Sequence, residues 1–428
     1  MFLLQWKSCI TAITLTAISL TASKSALAVS LYSVTDLGSL TGETYSYATG
    51  INDSGDVAIN SLNGSFFYSN GSVKKISPLP GDNESGVTGI NNLGQVVGNS
   101  VNSNNFTANN PFLYSNGITQ PLAIKDAIPY AINDRTQIVG GAIGLGPFLY
   151  SDGKATSIGT PGNVAYGLNN LGQVVGILNS STAFLYENGQ TTNLGTLPGD
   201  GYSVANDIND LGQVVGSSGV TGVDDGDAFL YSSSTGLQDL GRLRPTDLFS
   251  VALGINNLGQ VVGFSGTNSD SSPPYNNSLR AFLYSDNTLY NLNDLIAPGS
   301  DAGFTLTAAS AINNNGQIVG RGAVNGELHA FLLTPTSSVS VPEPTLIDFG
   351  SDAGFILNRA EAINNNGQIV GSGAVNGQLH AFLLTPISSV SVPEPTSGVP
   401  ILSFSAVVTL FAALKRKPRS NSAAIQQI

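Results

Sequence analysis

Few side chains in this 428-residue chain could do chemistry. Its two histidines, His329 and His380, occupy equivalent places in near-identical segments. Equivalent positions in adjacent repeats stay a repeat's width apart, so the two are not expected to share a metal ion. Each reads as a structural strand histidine. The only cysteine, Cys9, lies near the N-terminus beside the only methionine, Met1, and the only tryptophan, Trp6. The rest of the chain therefore has no thiol nucleophile, no disulfide and no thiolate ligand. It has no G-x-S-x-G elbow and no Gly-rich phosphate loop leading into a helix. The densest acidic group is Asp224-Asp225-Gly226-Asp227. With backbone carbonyls, Asp224, Asp225 and Asp227 could hold Ca²⁺ weakly; a solvated loop is the simpler reading. Glycoside hydrolysis needs only two carboxylates at the right distance, but nothing in the sequence singles out such a pair. No cofactor is expected.

Net charge narrows the partners. Between Val29 and Thr396 there are 28 Asp and Glu against ten Lys and Arg, a balance of −18. That argues against nucleic acid or an anionic membrane as the bound surface. It suits a soluble acidic module and cation-mediated contact with acidic polymers.

The elements that carry these residues are repeats. A segment like Gly89-Ile90-Asn91-Asn92-Leu93-Gly94 recurs, with its leading asparagine at Asn52, Asn91, Asn133, Asn169, Asn209, Asn256, Asn313 and Asn364. The spacings are 39, 42, 36, 40, 47, 57 and 51 residues. Such periods signal an array of small units. The unit at 162–199 reads as four strands: Val164–Leu168, 173–176, 183–186 and 191–197. Four strands in about forty residues is the size of one β-propeller blade.

Turn chemistry supports this reading. Asn91, Asn169 and Asn256 can bond the backbone two residues on. Gly94, Gly172 and Gly259 can take the positive φ of a tight hairpin. Thr136 stands in that glycine slot in the third repeat, so a distorted turn is expected there. Calcium binding by these Asn/Asp pairs is the functional alternative, but their spacing does not make an oxygen-rich loop. Val-Val and Phe-Leu-Tyr runs place apolar side chains on both strand faces, as in sheets packed on both sides. An aromatic ligand-binding ladder would use the same residues.

These units resemble HAF repeats, through His329-Ala330-Phe331 and His380-Ala381-Phe382; the other copies lack the histidine. The resemblance covers roughly 31–386 and implies an extracellular repeat protein with no assigned reaction. The N-terminus reads as a secretory signal over residues 1–28, with Ala26 and Ala28 framing the cleavage site. At the other end Val392-Pro393-Glu394-Pro395, an apolar stretch Val399–Leu414 and a basic tail resemble the PEP-CTERM sorting signal. That resemblance implies processing by an exosortase-type protease in a Gram-negative bacterium that exports polysaccharide.

The expected organisation is a signal peptide (1–28), a repeat β-propeller (29–390) and a sorting tail (391–428), with helical signal and anchor segments. The expected partners are signal peptidase, the exosortase-type protease and extracellular polysaccharide, with membrane contact only through the unprocessed tail. The expected role is a non-catalytic structural or binding module, secreted to the cell surface or extracellular matrix. The alternative is a glycan-active enzyme on the same scaffold. Residues 301–345 and 352–396 match at 38 of 45 positions, a tandem duplication that includes the Pro-Glu-Pro motif. The inner copy, Val341 to Pro344, lacks the helix and basic tail and is expected to be inert. Leu31–Leu40 reads as a fourth strand that arrives before any first strand. It is expected to pair with the strand around His380–Leu384 and close eight blades; the alternative, pairing beside His329–Leu333, would close seven.

Overall fold

The computed structural model describes residues 30–104, 109–179, 181–220, 226–267, 278–300, 303–336, 355–363, 369–375, 378–385 and 407–410. The signal segment with Ala26 and Ala28, the acidic Asp224 and Asp225, and both Val-Pro-Glu-Pro motifs lie outside the described residues. The chain divides into two units, Met1–Val339 and Ser340–Ile428.

The first unit is all-β and propeller-like, with strands in seven groups of four. Sheets 1 to 6 span 46–76, 84–121, 127–157, 164–195, 202–241 and 249–291. A single parallel bridge, Gly226 to Phe249, links sheets 5 and 6. Sheet 7 joins Thr305–Ile312, Ile318–Val324 and Glu327–Pro335 to the N-terminal strand Tyr32–Asp36.

Sheet 4 shows how local sequence sets the strands. They run Val164–Leu168, Val174–Leu178, Thr182–Glu187 and Gln190–Gly195. Gly172 turns the first hairpin at φ +85°. Asn188 and Gly189, both at positive φ, make the two-residue turn that matches strand twist. The first strand carries a register skip between Ala165 and Gly167, and every other sheet of this unit has one at the same place. Such a bulge bends the strand and brings its backbone onto the next strand. A Cβ on Gly176 would overlap Val164 O, which explains the glycine after Val-Val.

Core packing alternates along the Val-Val pair. Val174 packs with Phe184, Ala165 and Val139 of sheet 3. Val175 faces the other way, with Val214 and Phe229 of sheet 5. Both sheet faces are thereby buried, and Phe112, Phe148, Phe229, Phe282 and Phe331 are fully inaccessible. Burying a ring of this size contributes about 2–3 kcal/mol at each interface.

Four expectations need correction. The turn at Thr136 is not distorted: Thr136 adopts φ +59° and donates its N–H to Asn133 O (3.0 Å). Its Oγ1 also donates to Gln95 Oε1 of sheet 2 (2.9 Å), a bond no glycine could make. Leu31–Leu40 is not one strand. Asp36 caps a short helix, Leu37–Thr41, through Ser39 N (3.0 Å), and Leu37 is buried beneath it.

The N-terminal strand does not pair with the strand around His380–Leu384. It pairs antiparallel with Glu327–Pro335, in the register Ser33 to Thr334 and Asp36 to Phe331. In the second unit, Phe355–Ile363, Ile369–Val375, Gln378–Thr385 and Val407–Leu410 form their own antiparallel sheet. Lastly, Val407–Leu410 belongs to the stretch predicted as a helix, yet it is extended. Its β-branched valines suit a strand, and it covers the edge of Gln378–Thr385. Among the described residues no helix is long and apolar enough to cross a membrane.

Candidate functional site

The turn asparagines meet at one end of the first unit. Asn91 is 4% exposed and uses every hydrogen-bonding position. Its Oδ1 accepts from Leu93 N (3.1 Å) and Gln95 N (2.9 Å). Its Nδ2 donates to Gln95 Oε1 (2.8 Å) and to Asn133 O of the next sheet (2.9 Å). Asn169 and Asn256 repeat the pattern, reaching Asn209 O and Asn313 O at 3.0 Å. Asn313 in turn donates to Asn52 O of sheet 1 (2.8 Å), although 261 residues separate them. Gly94 and Gly259, at φ +70° and +76°, hold the turns that present these amides.

A second ring lies beside the first. It consists of Asp53, Asn92, Asp134, Asn170, Asp210, Asn257 and Asn314. Each backbone N–H donates to the Oδ1 of the following member at 2.8–2.9 Å. Asp and Asn alternate until Asn257 and Asn314, because seven is odd. Each carboxylate accepts two side-chain amides: Asp134 Oδ2 lies 3.1 Å from Asn92 Nδ2 and 3.0 Å from Asn170 Nδ2. The carboxylates are thus occupied with neighbouring turns. A pocket of about 180 Å³ remains between the turns. Among the described residues, no three His, Cys, Asp or Glu are grouped to hold a metal. Asp227, the described member of the expected calcium group, forms an ion pair with Arg242, with Nη2 to Oδ2 at 3.1 Å.

One titratable group, Asp207, gives no sign of itself in the sequence. Asp207 occupies a slot that is glycine or alanine in the other repeats of this unit. Its carboxylate accepts from Ile208 N (2.8 Å) and from Ile255 N of sheet 6 (3.0 Å). Burial pushes its pKa up to about 6, and the two N–H bonds only partly offset this. An Asp between Asn206 and Ile208, close to the turn at Asn209-Asp210, gives no signal of that kind in sequence. His329, expected to be a structural strand histidine, is buried. Its Nδ1 lies 3.0 Å from both Asp36 oxygens and its Nε2 lies 3.1 Å from Glu327 Oε2. It ties the N-terminal strand to sheet 7 and is a structural strand residue here.

The first strands of sheets 3 and 4 also carry tyrosines. Tyr130 and Tyr166 meet edge to face with ring centroids 5.0 Å apart. Burial raises the pKa of both, and Tyr166 is pushed further by Tyr130 and Tyr202, so these phenols stay protonated donors. A pocket of about 350 Å³ opens beside Tyr130, between sheets 3 and 4.

Residues 199–327 match a family model described as a protein of unknown function (DUF3466). No curated protein matches the chain. Among solved structures, the chain is similar to the extracellular domain of a putative one-component system from B. thetaiotaomicron. Identity is 14% and the TM-score 0.43, over 84% of this chain and 45% of that one. The extracellular domain of a putative hybrid two-component system from the same organism is similar at 15% identity and TM-score 0.46, over 83% and 46%. An oligogalacturonate lyase in complex with manganese is similar at 11% and 0.31, over 66% and 74%. The chain spans less than half the length of the first two of these structures.

Proposed function

We propose that residues 29–339 form a closed seven-bladed β-propeller acting as an exported, non-catalytic binding or structural module of the cell surface or exopolysaccharide matrix. The observation that carries this reading is the Asn ring. Seven turns, one per sheet, spend their amides on one another, and the last returns to the first. A scaffold fixed in this way displays loops rigidly, which suits recognition. Pairing of the N-terminal strand with Glu327–Pro335 covers the edge of that strand and completes the seventh sheet. The HAF-like repeats and the PEP-CTERM-like tail support export from a Gram-negative cell, with a mature chain from Val29 to near Pro395. Intact-mass measurement of the exported protein tests the processing; a species that retains Lys415 to Ile428 removes that part of the proposal. Co-sedimentation with the producing strain's exopolysaccharide, with and without Ca²⁺, tests the binding role.

A further inference from the structure

The pocket between sheets 3 and 4 opens beside Gly141. In each sheet the second strand carries a residue one place beyond the bulge partner. It is Asn60, Asn99, Ile177, Ser217, Phe264 or Arg321 in the other six sheets of the unit. In sheet 3 it is Gly141. In sheets 1 and 2 this side chain reaches the next sheet: Asn60 bonds Val87 N and O at 2.8 Å, and Asn99 Nδ2 donates to Ala127 O at 2.8 Å. In sheet 6 Phe264 meets Phe249 of its own sheet edge to face. Beside Gly141 the pocket holds about 350 Å³, within the range of small-molecule pockets, roughly 300–1,000 Å³. The glycine is not needed for backbone geometry. Its φ is not in the left-handed region, and a Cβ there would meet only Val164, Cγ1 at 3.5 Å and Cγ2 at 3.7 Å, both ordinary contacts.

The lining has two characters. Ile128, Val164 and the Tyr130 ring form an apolar wall, and Ile143 stands at the rim 84% exposed. Asp126 and Asn109 also line the pocket, and among the described residues neither side chain has a hydrogen bond or ion pair. Asp126 is held at φ +48°, uncommon for a non-glycine residue, while its carbonyl accepts from Ile143 N (3.1 Å). Backbone held in such a region collects at binding sites. A carboxylate that makes no ion pair favours neutral partners over anions. It accepts hydrogen bonds from hydroxyl groups, the amide both donates and accepts, and the apolar wall takes the C–H face of a ring.

We propose that this pocket is a binding subsite for one neutral sugar unit, with Asp126 and Asn109 bonding its hydroxyls and Tyr130 and Ile128 packing on its ring. The proposal rests on the reading of the first unit as a binding module. Its test is ligand-observed NMR on the full exported protein with D-glucose, D-galactose and N-acetyl-D-glucosamine as probes. At least one should bind the parent, and Gly141→Phe should weaken that binding about tenfold or more, a shift of the size a filled pocket imposes. Asp126→Ala, on an exposed turn that leaves the core untouched, should weaken it as well, and covers the case in which Gly141→Phe fails to fold. No binding of any of the three sugars overturns the proposal, as does equal binding by the parent and a folded Gly141→Phe. Methylammonium binding at the pocket without sugar binding also overturns it. Exopolysaccharide co-sedimentation separates the two claims. A parent that binds sugar but does not sediment supports the pocket and removes the matrix role. Full sedimentation together with sugar binding unchanged by Gly141→Phe does the reverse.

Discussion

Replacing Asp207 with asparagine probes the packed inner wall of the first unit through a single ionisation. The ordinary Asp pKa of 3.8 applies to the unfolded chain, while burial raises the folded value to about 6. Between those values the folded protein holds a proton that the unfolded chain has released. Stability from this group is therefore complete below pH 3.8 and is lost as pH rises through 6. A shift of about two units corresponds to about 3 kcal/mol. Residue 207 is not wholly enclosed, so a discounted range of about 1–3 kcal/mol is the working figure. Asparagine keeps an acceptor for Ile208 N or Ile255 N and removes the charge. Urea unfolding at pH 3.5, 5, 6.5 and 8, followed by circular dichroism, would read the difference. The variant should gain on the parent by that amount from the lowest pH to the highest, with a plateau above about pH 7. A difference that does not change with pH, or a parent that gains as pH rises, would refute the burial argument.

Two further substitutions test the turns. Gly172→Val should destabilise the unit by about 1–3 kcal/mol, because a β-branched residue is strained at positive φ; unchanged melting would refute the role of φ at that turn. Thr136 already occupies that conformation, but with a bond to Gln95 that a valine cannot form. Asn169→Ala should cost about 2–4 kcal/mol, since Leu171 N, Gln173 N and Asn209 O all lose their partner; a loss below about 0.5 kcal/mol would show that water replaces the ring bonds freely.

Much of the architecture is legible in the sequence, because it follows from local chemistry. Asn-Gly dipeptides, turn glycines and paired valines mark the strands of sheet 4 to within two or three residues. Features set by distant neighbours are not legible. Thr136 keeps a regular turn because Gln95, in another sheet, accepts its hydroxyl. Asp207 differs from a surface aspartate through its burial against sheet 6, where it accepts from Ile255 N, 48 residues away. The pairing of Tyr32–Asp36 could not be chosen from pattern alone, since the duplication makes Glu327–Pro335 and Gln378–Thr385 nearly the same strand. Likewise Gly141 looks like one glycine among fifty until its place in the register is known.

Ring closure by the N-terminal strand is tested most directly by disulfide trapping, since Cys9 is the only native cysteine. Ser33 and Thr334 are register partners, and antiparallel partners sit roughly 4.5–5.5 Å apart at Cα, within disulfide reach. The exported Ser33→Cys/Thr334→Cys protein should form an intramolecular disulfide in high yield under mild oxidation. Ser33→Cys/Thr385→Cys, the equivalent pair in the duplicated repeat, should stay reduced. Trapping of the second pair and not the first would contradict seven-bladed closure and point to the duplicated strand as the partner.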